Sequence, residues 1–463
     1  MSHAATTVSV ELLKKYDRPG PRYTSYPTVP VWTESIGFDD YARSLEQASM
    51  RRDEPLAIYC HIPFCTHRCY YCGCNTVVTN NQDRIRRYVE TLSREIDNVV
   101  RIIGRHRPVS QLHFGGGTPL FLDTAGMTEV LNFITSRFTF QTNHEQSIEL
   151  DPRVTKREQL EALRHIGFNR VSFGVQDFDA DVQKAVGRIQ PFDMVAEVLK
   201  QSRSLGFRGI NADLIYGLPL QKVESFSHTL DQIVSLRPDR LAVYSFAYLP
   251  KSLAHQNRID PEDLPTTDVK YRLFATAIEK LTAAGYLQIG MDHFALPDDE
   301  LAVAQRDGRL FRNFMGYTVQ QAPEMIGFGM SAIGYIDNTF FQSHSKLDSY
   351  GNAIAERGLA IYRGMRLGQD DLIRQYVITQ LMCNFTLSYQ SLQDRFGVDY
   401  FGYFANEHQA LESFVDDGLL TRGDAGLHIS TIGRTFVRNI AMTFDTYLNG
   451  KQAEKTVTFS RTI

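Results

Sequence analysis

Five of the six cysteines in this 463-residue chain fall within fifteen positions. They are Cys60, Cys65, Cys69, Cys72 and Cys74, whereas Cys383 lies far along the chain. In a long chain, such a cluster is more typical of a metal or redox site than of a disulfide framework. The spacing of Cys65, Cys69 and Cys72 lets three thiolates surround one iron–sulfur cluster. A [4Fe-4S] cluster held by three thiolates keeps one iron open to an exogenous ligand.

A structural zinc site is the alternative for this cysteine loop. Structural zinc normally completes a tetrahedron and usually draws on a second, distant pair of Cys or His residues. The sequence contains no distant cysteine pair, and His61 and His67 could only supplement a zinc shell. Cys74 could act as a fourth cluster ligand. We predict that it is unligated, because it lies only two positions after Cys72.

The elements that position the loop are read from hydrophobic patterns. Short apolar runs predict buried strands at Leu56 to Ile62, Leu112 to Gly115, Ser147 to Leu150, Val171 to Val175, Asn211 to Ile215 and Leu241 to Phe246. Helical periodicity predicts a long helix carrying an apolar stripe from Ile85 to Ile103. Gly167, Gly206 and Gly285 each end a predicted helix, and a strand follows each of them.

Alternating strands and helices predict an α/β fold, a complete or partial (β/α) TIM-like barrel with its chemistry at the carboxyl ends of the strands. Polar residues or glycines stand at several of those ends, namely Gly115 to Thr118, Glu149, Gln176, Asp213 and Ala247. Glycine and acidic residues are also common in ordinary connecting loops. Position alone therefore leaves a functional and a structural interpretation open.

We predict three regions: residues 1–50 as an N-terminal extension over the barrel mouth, 51–365 as the barrel with its extension, and 366–463 as a mainly helical C-terminal domain. Pro19 to Thr28 carries Arg22, Tyr23 and Tyr26, types that suit an anionic ligand, and is predicted to fold over the mouth. Asp417 to Phe444 resembles a winged helix but lacks a dense basic face. Packing over the barrel is the predicted role of this region.

Composition excludes several classes of protein. The chain is 43% hydrophobic and 22% charged, with a formal net charge of -4, as in ordinary soluble globular proteins. No segment is apolar for the length that a bilayer requires, and Met1 to Val10 shows no signal-peptide pattern. We therefore expect a cytoplasmic protein, a monomer, with no nucleic-acid partner and no membrane span.

The segment CTHRCYYC resembles the cluster motif of the radical S-adenosylmethionine (radical SAM) superfamily. Gly115 to Pro119, GGGTP, resembles the superfamily segment that holds the methionine amino group, whereas no GK[ST] follows as in a phosphate loop. Further segments resemble the oxygen-independent coproporphyrinogen III oxidases, among them GPRYTSYPT, YCHIPFCTHRCYYCGCN, SIELDPR, GVQDF, DLIYGLP, RNFMGYT and LMCNF. The departures are small, with Cys60 where valine is expected and GRIQ in place of an NREQ-like run.

The resemblance implies a [4Fe-4S] cluster on Cys65, Cys69 and Cys72 and two S-adenosylmethionines per active site. Residues that match positions around the cluster-bound S-adenosylmethionine are Tyr59, Tyr71, Gly116, Glu149 and Ile333. Residues that match positions around the second are Gly117, Thr118, Gln176, Arg188, Asp213 and Ala247. Tyr59 and the three cysteines are the implied catalytic residues. Ile333, Ala247 and Tyr59 could equally be packing residues.

The resemblance also implies the reaction. A 5'-deoxyadenosyl radical would take hydrogen from the β-carbon of a propionate of coproporphyrinogen III, and loss of CO2 and an electron would leave a vinyl group. A reduced electron donor would serve the cluster, and Arg22 and Arg312 are candidate partners for substrate carboxylates. Three alternatives remain: a haem-binding chaperone of the same fold, a plain iron–sulfur electron carrier, and a radical enzyme with another substrate.

Overall fold

The computed structural model describes residues 8–319, 322–448, 459 and 461–462. Its helices are α1 Val10–Tyr16, α2 Phe38–Ser49, α3 Gln82–Ile103, α4 Thr124–Thr135, α5 Arg157–His165, α6 Ala180–Ala185, α7 Phe192–Ser204, α8 Val223–Leu236, α9 Thr267–Ala283, α10 Glu300–Arg306, α11 Leu347–Arg357, α12 Gln369–Asn384, α13 Tyr389–Phe396, α14 Tyr400–Tyr403, α15 Ala405–Ala410, α16 Glu412–Asp416 and α17 Val437–Met442. No described helix is long and apolar enough to cross a bilayer.

The strands are β1 Leu56–Ile62, β2 Phe64–Cys65, β3 Val77–Val78, β4 Pro108–Gly116, β5 Thr139–Leu150, β6 Arg170–Gln176, β7 Gly209–Tyr216, β8 Arg240–Ser245, β9 Leu287–Gly290, β10 His293–Ala295, β11 Phe311–Asn313, β12 Gly316–Thr318, β13 Glu324–Phe328, β14 Ile333–Ile336, β15 Thr339–Ser343, β16 Ile361–Arg366, β17 Thr386–Ser388, β18 Leu420–Arg422 and β19 Gly426–Ile429. Every strand predicted from an apolar run is present, and most are longer than the run itself. Connecting helices alternate with them, which confirms the predicted α/β class.

The main sheet has 12 strands in the order β16-β15-β14-β13-β1-β4-β5-β6-β7-β8-β10-β9. From β13 to β8 neighbouring strands are parallel. Antiparallel pairs flank this parallel core on both sides. The parallel core therefore corresponds to the predicted barrel-type unit. Its carboxyl ends collect the cysteine loop after β1, the glycines after β4 and Glu149 at the end of β5.

Three helices end at the glycines that the sequence predicts for their carboxyl ends. The apolar stripe predicted from Ile85 to Ile103 is buried on α3. Gly167, Gly206 and Gly285 have φ values of 108°, 77° and 91°, a region that side chains with a Cβ rarely adopt. A strand follows each glycine, although the strand after Gly285, β9, joins the antiparallel edge of the sheet and not the parallel core.

The C-terminal region is mainly helical from α12 onward, with a small sheet in the order β17-β19-β18. The N-terminal extension packs against it. Tyr23 Oη donates to Asp445 Oδ2 at 2.9 Å, and Tyr26 Oη lies 3.1 Å from Thr446 Oγ1. Both tyrosines are buried. These contacts tie the N-terminal segment to the C-terminal region.

Candidate active site

The cysteine loop leaves the carboxyl end of β1. Cys65 ends the short strand β2, which pairs with β3, and Cys69 and Cys72 lie on the irregular loop between these two strands. The loop is closed by a backbone hydrogen bond from Cys72 N to Cys69 O of 3.1 Å. All three cysteines have free thiols. The predicted triad is thus held on one short loop at the edge of the sheet where chemistry is expected.

Cationic groups surround the sulfur of Cys69. Arg153 Nη2 and Arg188 Nη1 each lie 3.7 Å from Cys69 Sγ. Asp151 holds both arginines, with Arg188 Nη1 at 3.1 Å from its Oδ2. A hydrogen bond from Cys74 lowers the pKa of Cys72 to about 6. Thiolates are the form that binds metals. The lowered pKa of Cys72 favours this form, whereas burial raises the pKa of Cys65 to about 11.

These residues fit an iron–sulfur cluster. The described residues contain no group of three or more His, Cys, Asp or Glu placed to hold a single metal ion. In a [4Fe-4S] cluster each thiolate binds a different iron, so the three sulfurs do not have to converge on one point. A thiolate loop next to two arginines is a donor set that suits an anionic cluster.

A cavity of about 500 Å³ opens beside the loop. Its lining includes four of the five residues predicted around the cluster-bound S-adenosylmethionine, namely Tyr59, Gly116, Glu149 and Ile333. The neighbouring glycines keep the backbone close-packed. A Cβ on Gly117 would come within 2.6 Å of Phe64 O, and one on Gly116 within 2.7 Å of Ile62 O. Larger residues at these two positions would push the glycine segment away from β1.

Glu149 is half-buried and remains anionic. Gly116 N donates to Glu149 Oε2 at 3.2 Å, and His113 Nε2 lies 3.5 Å from Oε1. Burial acts to raise the pKa of Glu149, but the His113 hydrogen bond and the other nearby donors outweigh it, and the pKa lies below its usual value. The ring of Tyr59 stacks on that of His113 with centroids 6.0 Å apart, and Tyr59 Oη lies 2.9 Å from His61 Nδ1. The cavity therefore offers a carboxylate beside two histidines.

Asp213 occupies a different electrostatic environment. It lines a smaller cavity of about 150 Å³ inside the sheet, which Glu149 also lines. Asn211 Nδ2 donates to Asp213 Oδ1 at 2.8 Å, and Ser172 Oγ donates to Oδ2 at 3.2 Å. Burial raises the pKa of Asp213 to about 7, and the charge of Glu149 adds to the rise. The two carboxyl groups thus favour different protonation states near neutral pH.

The remaining predicted residues lie around the loop rather than in the large cavity. Thr118 Oγ1 lies 3.6 Å from Cys65 Sγ. Gln176 ends β6 with a φ of 66°, which turns the chain at the strand end. Tyr71 and Ala247 are joined by Gln256, whose Nε2 donates to both carbonyls at 3.3 and 3.1 Å. Arg188 is already committed to Asp151 and to Gly174 O, the latter at 2.7 Å.

The two basic candidates differ in their surroundings. Arg22 forms an ion pair with Asp292 and lies with its guanidinium carbon 5.4 Å from the centre of the Tyr244 ring. Arg312 is buried on β11, above the ring of Tyr317 at 4.7 Å. Arg22 therefore already has an anionic partner within the protein.

Several residues next to the site had not been singled out from the sequence. Asp151 and Arg153 lie in the SIELDPR segment, and His113 precedes the glycine segment. The sequence offers His61 only as a supplementary zinc ligand, yet it lines the large cavity. Its Nε2 is 3.0 Å from Asn75 O. The available signal was the position of these residues at or just after strand ends.

Family models match two parts of the chain. The model described as the Radical SAM superfamily matches residues 59–233, and the model described as the HemN C-terminal domain matches residues 367–436. The first match covers the cysteine loop and most of the parallel strands. Fold and loop together define a radical SAM protein, a class that uses a [4Fe-4S] cluster and S-adenosylmethionine.

Relatives that match nearly the whole chain identify its family within the radical SAM class. The chain is 44% identical over 455 residues to the oxygen-independent coproporphyrinogen III oxidase of Pseudomonas aeruginosa, and 43% identical over 453 residues to that of Escherichia coli, with 98% of each chain covered in both pairs. The solved structure of the Escherichia coli coproporphyrinogen III oxidase, described as a radical SAM enzyme, matches with a TM-score of 0.90 at 42% identity, covering 95% of this chain and 99% of that one. The chain belongs to the oxygen-independent coproporphyrinogen III oxidase family.

Proposed function

We propose that this protein converts coproporphyrinogen III to protoporphyrinogen IX without oxygen, in porphyrin and haem biosynthesis. Each of two propionate side chains loses CO2, a hydrogen atom and an electron and becomes a vinyl group; the electron passes to an external one-electron acceptor. The observation that carries the proposal is the cavity of about 500 Å³ beside the three-cysteine loop, in a chain of this family. When bound, the cluster and S-adenosylmethionine supply, after one-electron reduction, a radical that can take hydrogen from an unactivated carbon.

The site residues divide into three groups in this proposal. Cys65, Cys69 and Cys72 would hold the cluster and leave one iron for the cofactor. The residues proposed to hold the first S-adenosylmethionine are Tyr59, Tyr71, Gly116, Glu149 and Ile333. The residues proposed to hold the second are Gly117, Thr118, Gln176, Arg188, Asp213 and Ala247. Tyr59 counts as catalytic here because it lines the cavity where the cofactor reacts.

The protonation states of the two carboxyl groups suit different duties. Glu149 is anionic, so it can accept hydrogen bonds from ribose hydroxyls or an ammonium group. Asp213, with a pKa of about 7, can both donate and accept a hydrogen bond near neutral pH. Arg188 can pair with a carboxylate only by sharing the guanidinium that Asp151 now holds. Gly116 and Gly117 have no side chain, so no side-chain atoms fill the space at the end of β4.

The proposal also covers the electron donor, the oligomeric state and the cellular location. A reduced one-electron donor serves the cluster. The protein acts as a monomer, since residues of one chain supply the whole set of proposed ligands. It acts in the cytoplasm. The domain division into 1–50, 51–365 and 366–463 stays part of the proposal. It is supported by the separate family matches at residues 59–233 and 367–436.

Anaerobic turnover tests the proposal. The cluster-loaded protein is incubated with coproporphyrinogen III, S-adenosylmethionine and a chemical reductant, and the products are oxidised and separated. Protoporphyrin and 5'-deoxyadenosine are expected, and neither should form with Cys69→Ala. Tight haem binding with no decarboxylation would instead support the chaperone alternative. S-adenosylmethionine cleavage without any porphyrin product would indicate a different substrate.

A further inference from the structure

Arg312 is a buried cation that has a hydrogen bond with Tyr317 but leaves two of its donor nitrogens without a partner among the described residues. The residue is 8% exposed and lies on the short hairpin of β11 and β12. Within the described part of the chain, its Nε and Nη1 atoms have no hydrogen-bond partner. The ring of Tyr317, opposite Arg312 in the hairpin register, covers one face of the guanidinium. Buried charged groups in proteins are normally paired, so two orphaned donors indicate a partner that is not among the described residues.

The neighbouring arginines are already engaged. Arg22 is paired with Asp292, and Arg438 donates to the backbone carbonyls of Gly20 and Pro21. The three guanidinium groups are close enough to act on one another. Burial and the charges of Arg22 and Arg312 together lower the pKa of Arg438 to about 10, and the charge of Asp292 opposes them. The region around Arg22, Arg312 and Arg438 therefore carries an excess of positive charge.

The hairpin that carries Arg312 also lines the active-site cavities. Met315 lines both the large and the small cavity, and Tyr317 lines the small one together with Asp213. The ring of His293, another lining residue, lies 5.1 Å from that of Tyr317. The guanidinium thus stacks on a ring that forms part of the cavity wall. An anion that enters the cavity would contact the part of its wall that Tyr317 forms.

We propose that Arg312 binds one carboxylate of the tetracarboxylate substrate and thereby anchors the macrocycle in the site. This inference rests on the proposed function, because it takes coproporphyrinogen III as the occupant. A carboxylate supplies both the negative charge and the acceptor oxygens that this guanidinium lacks. Arg22 stabilises the wall through Asp292 and is not the anchor.

The test compares binding of two inert ligands to the anaerobic, cluster-loaded protein. Coproporphyrin III carries the four carboxylates, and its tetramethyl ester has none of their charge. Binding is followed by quenching of porphyrin fluorescence for the wild type, Arg312→Met and Arg312→Lys. Arg434→Met is the matched control, since Arg434 also has an unpartnered Nε and stacks on a ring, that of Phe385 at 4.5 Å.

The readout is the affinity ratio of the tetra-acid to the ester, because poor folding lowers both affinities together. Losing a charged hydrogen bond should reduce this ratio about tenfold or more in Arg312→Met. Arg312→Lys should keep part of the ratio, and Arg434→Met should keep all of it. An unchanged ratio in Arg312→Met, with wild-type turnover intact, overturns the anchor and leaves the proposed function standing. A wild type that neither binds nor converts the substrate overturns the proposed function itself.

Discussion

Glu95 provides a sharp test of how burial controls this fold. It lies on the buried face of α3, 2% exposed. Its Oε2 accepts hydrogen bonds from Gly329 N at 2.8 Å and from Tyr350 Oη at 2.7 Å. The turn at Gly329 leads into β14, whose Ile333 lines the large cavity. Glu95 thereby ties a core helix to a wall of the candidate active site.

Burial raises the pKa of Glu95 from 4.5 to about 7, because the groups around it are uncharged at neutral pH. They come from every element packed against it: Tyr41 on α2, Cys60 on β1, Tyr88 on α3 and Tyr350 on α11. A pKa raised in the folded state means that folding binds a proton. Stability is then highest at low pH and is lost as the pH rises through about 7.

The size of the effect follows from the two pKa values. The full shift corresponds to about 3 kcal/mol, of which about 2 kcal/mol should disappear between roughly pH 5.5 and 8.5. Glu95→Gln keeps an acceptor for Gly329 and Tyr350 but cannot ionise. Its stability should therefore lack this part of the pH dependence, and it should exceed that of the wild type at the alkaline end.

The assay is reversible urea unfolding of matched anaerobic samples across this pH range, followed by far-ultraviolet circular dichroism. The quantity compared is the difference in free energy of unfolding between the two proteins at each pH. That difference cancels groups that titrate equally in both. Parallel pH profiles for wild type and Glu95→Gln would refute the reasoning, because they would mean that Glu95 titrates normally in the folded protein.

The other predictions concern the site and its support. Cys69→Ala should lose the iron and sulfide of the cluster, whereas Cys74→Ala should retain them; cluster loss in Cys74→Ala, measured by iron analysis, would show that a fourth cysteine is needed. Glu149→Gln should weaken S-adenosylmethionine binding about tenfold at normal iron content, and unchanged affinity in equilibrium dialysis would contradict its proposed role. Arg22→Gln should cost about 3 kcal/mol of stability, because the buried Asp292 carboxylate would keep His293 as a partner but lose its cationic one. Adding Asp292→Asn should restore much of it, and additive losses in urea titrations would disprove the coupling.

Local patterns in the sequence determined much of this structure. The stripe of α3 and the glycines that end helices depend on contacts within a few residues, so they can be read directly from the chain. The same holds for the cysteine loop, because three ligands on one short segment need no distant partner. Family segments spread along the chain then indicated the chemistry, which the full-length relatives support.

Long-range pairing was decided only by the tertiary structure. The predicted strands did not include β13, which pairs in parallel with β1, or the antiparallel strands that extend the sheet beyond it. These segments are short, and their partners lie far away in the chain, so periodicity carries little information about them. β9 follows the same helix–glycine pattern as β6 and β7, yet it joins an antiparallel edge.

The electrostatic environment of the charged site residues was likewise decided only by the tertiary structure. Glu149 and Asp213 look alike in sequence, each a carboxylate at or near a strand end. The first stays anionic beside His113, and burial raises the pKa of the second to about 7. Arg22 and Arg312 are equivalent candidates by residue type, but among the described residues only Arg22 is paired with a carboxylate, that of Asp292. Protonation and free binding capacity depend on which distant groups the fold brings within a few ångströms, and no local pattern records that.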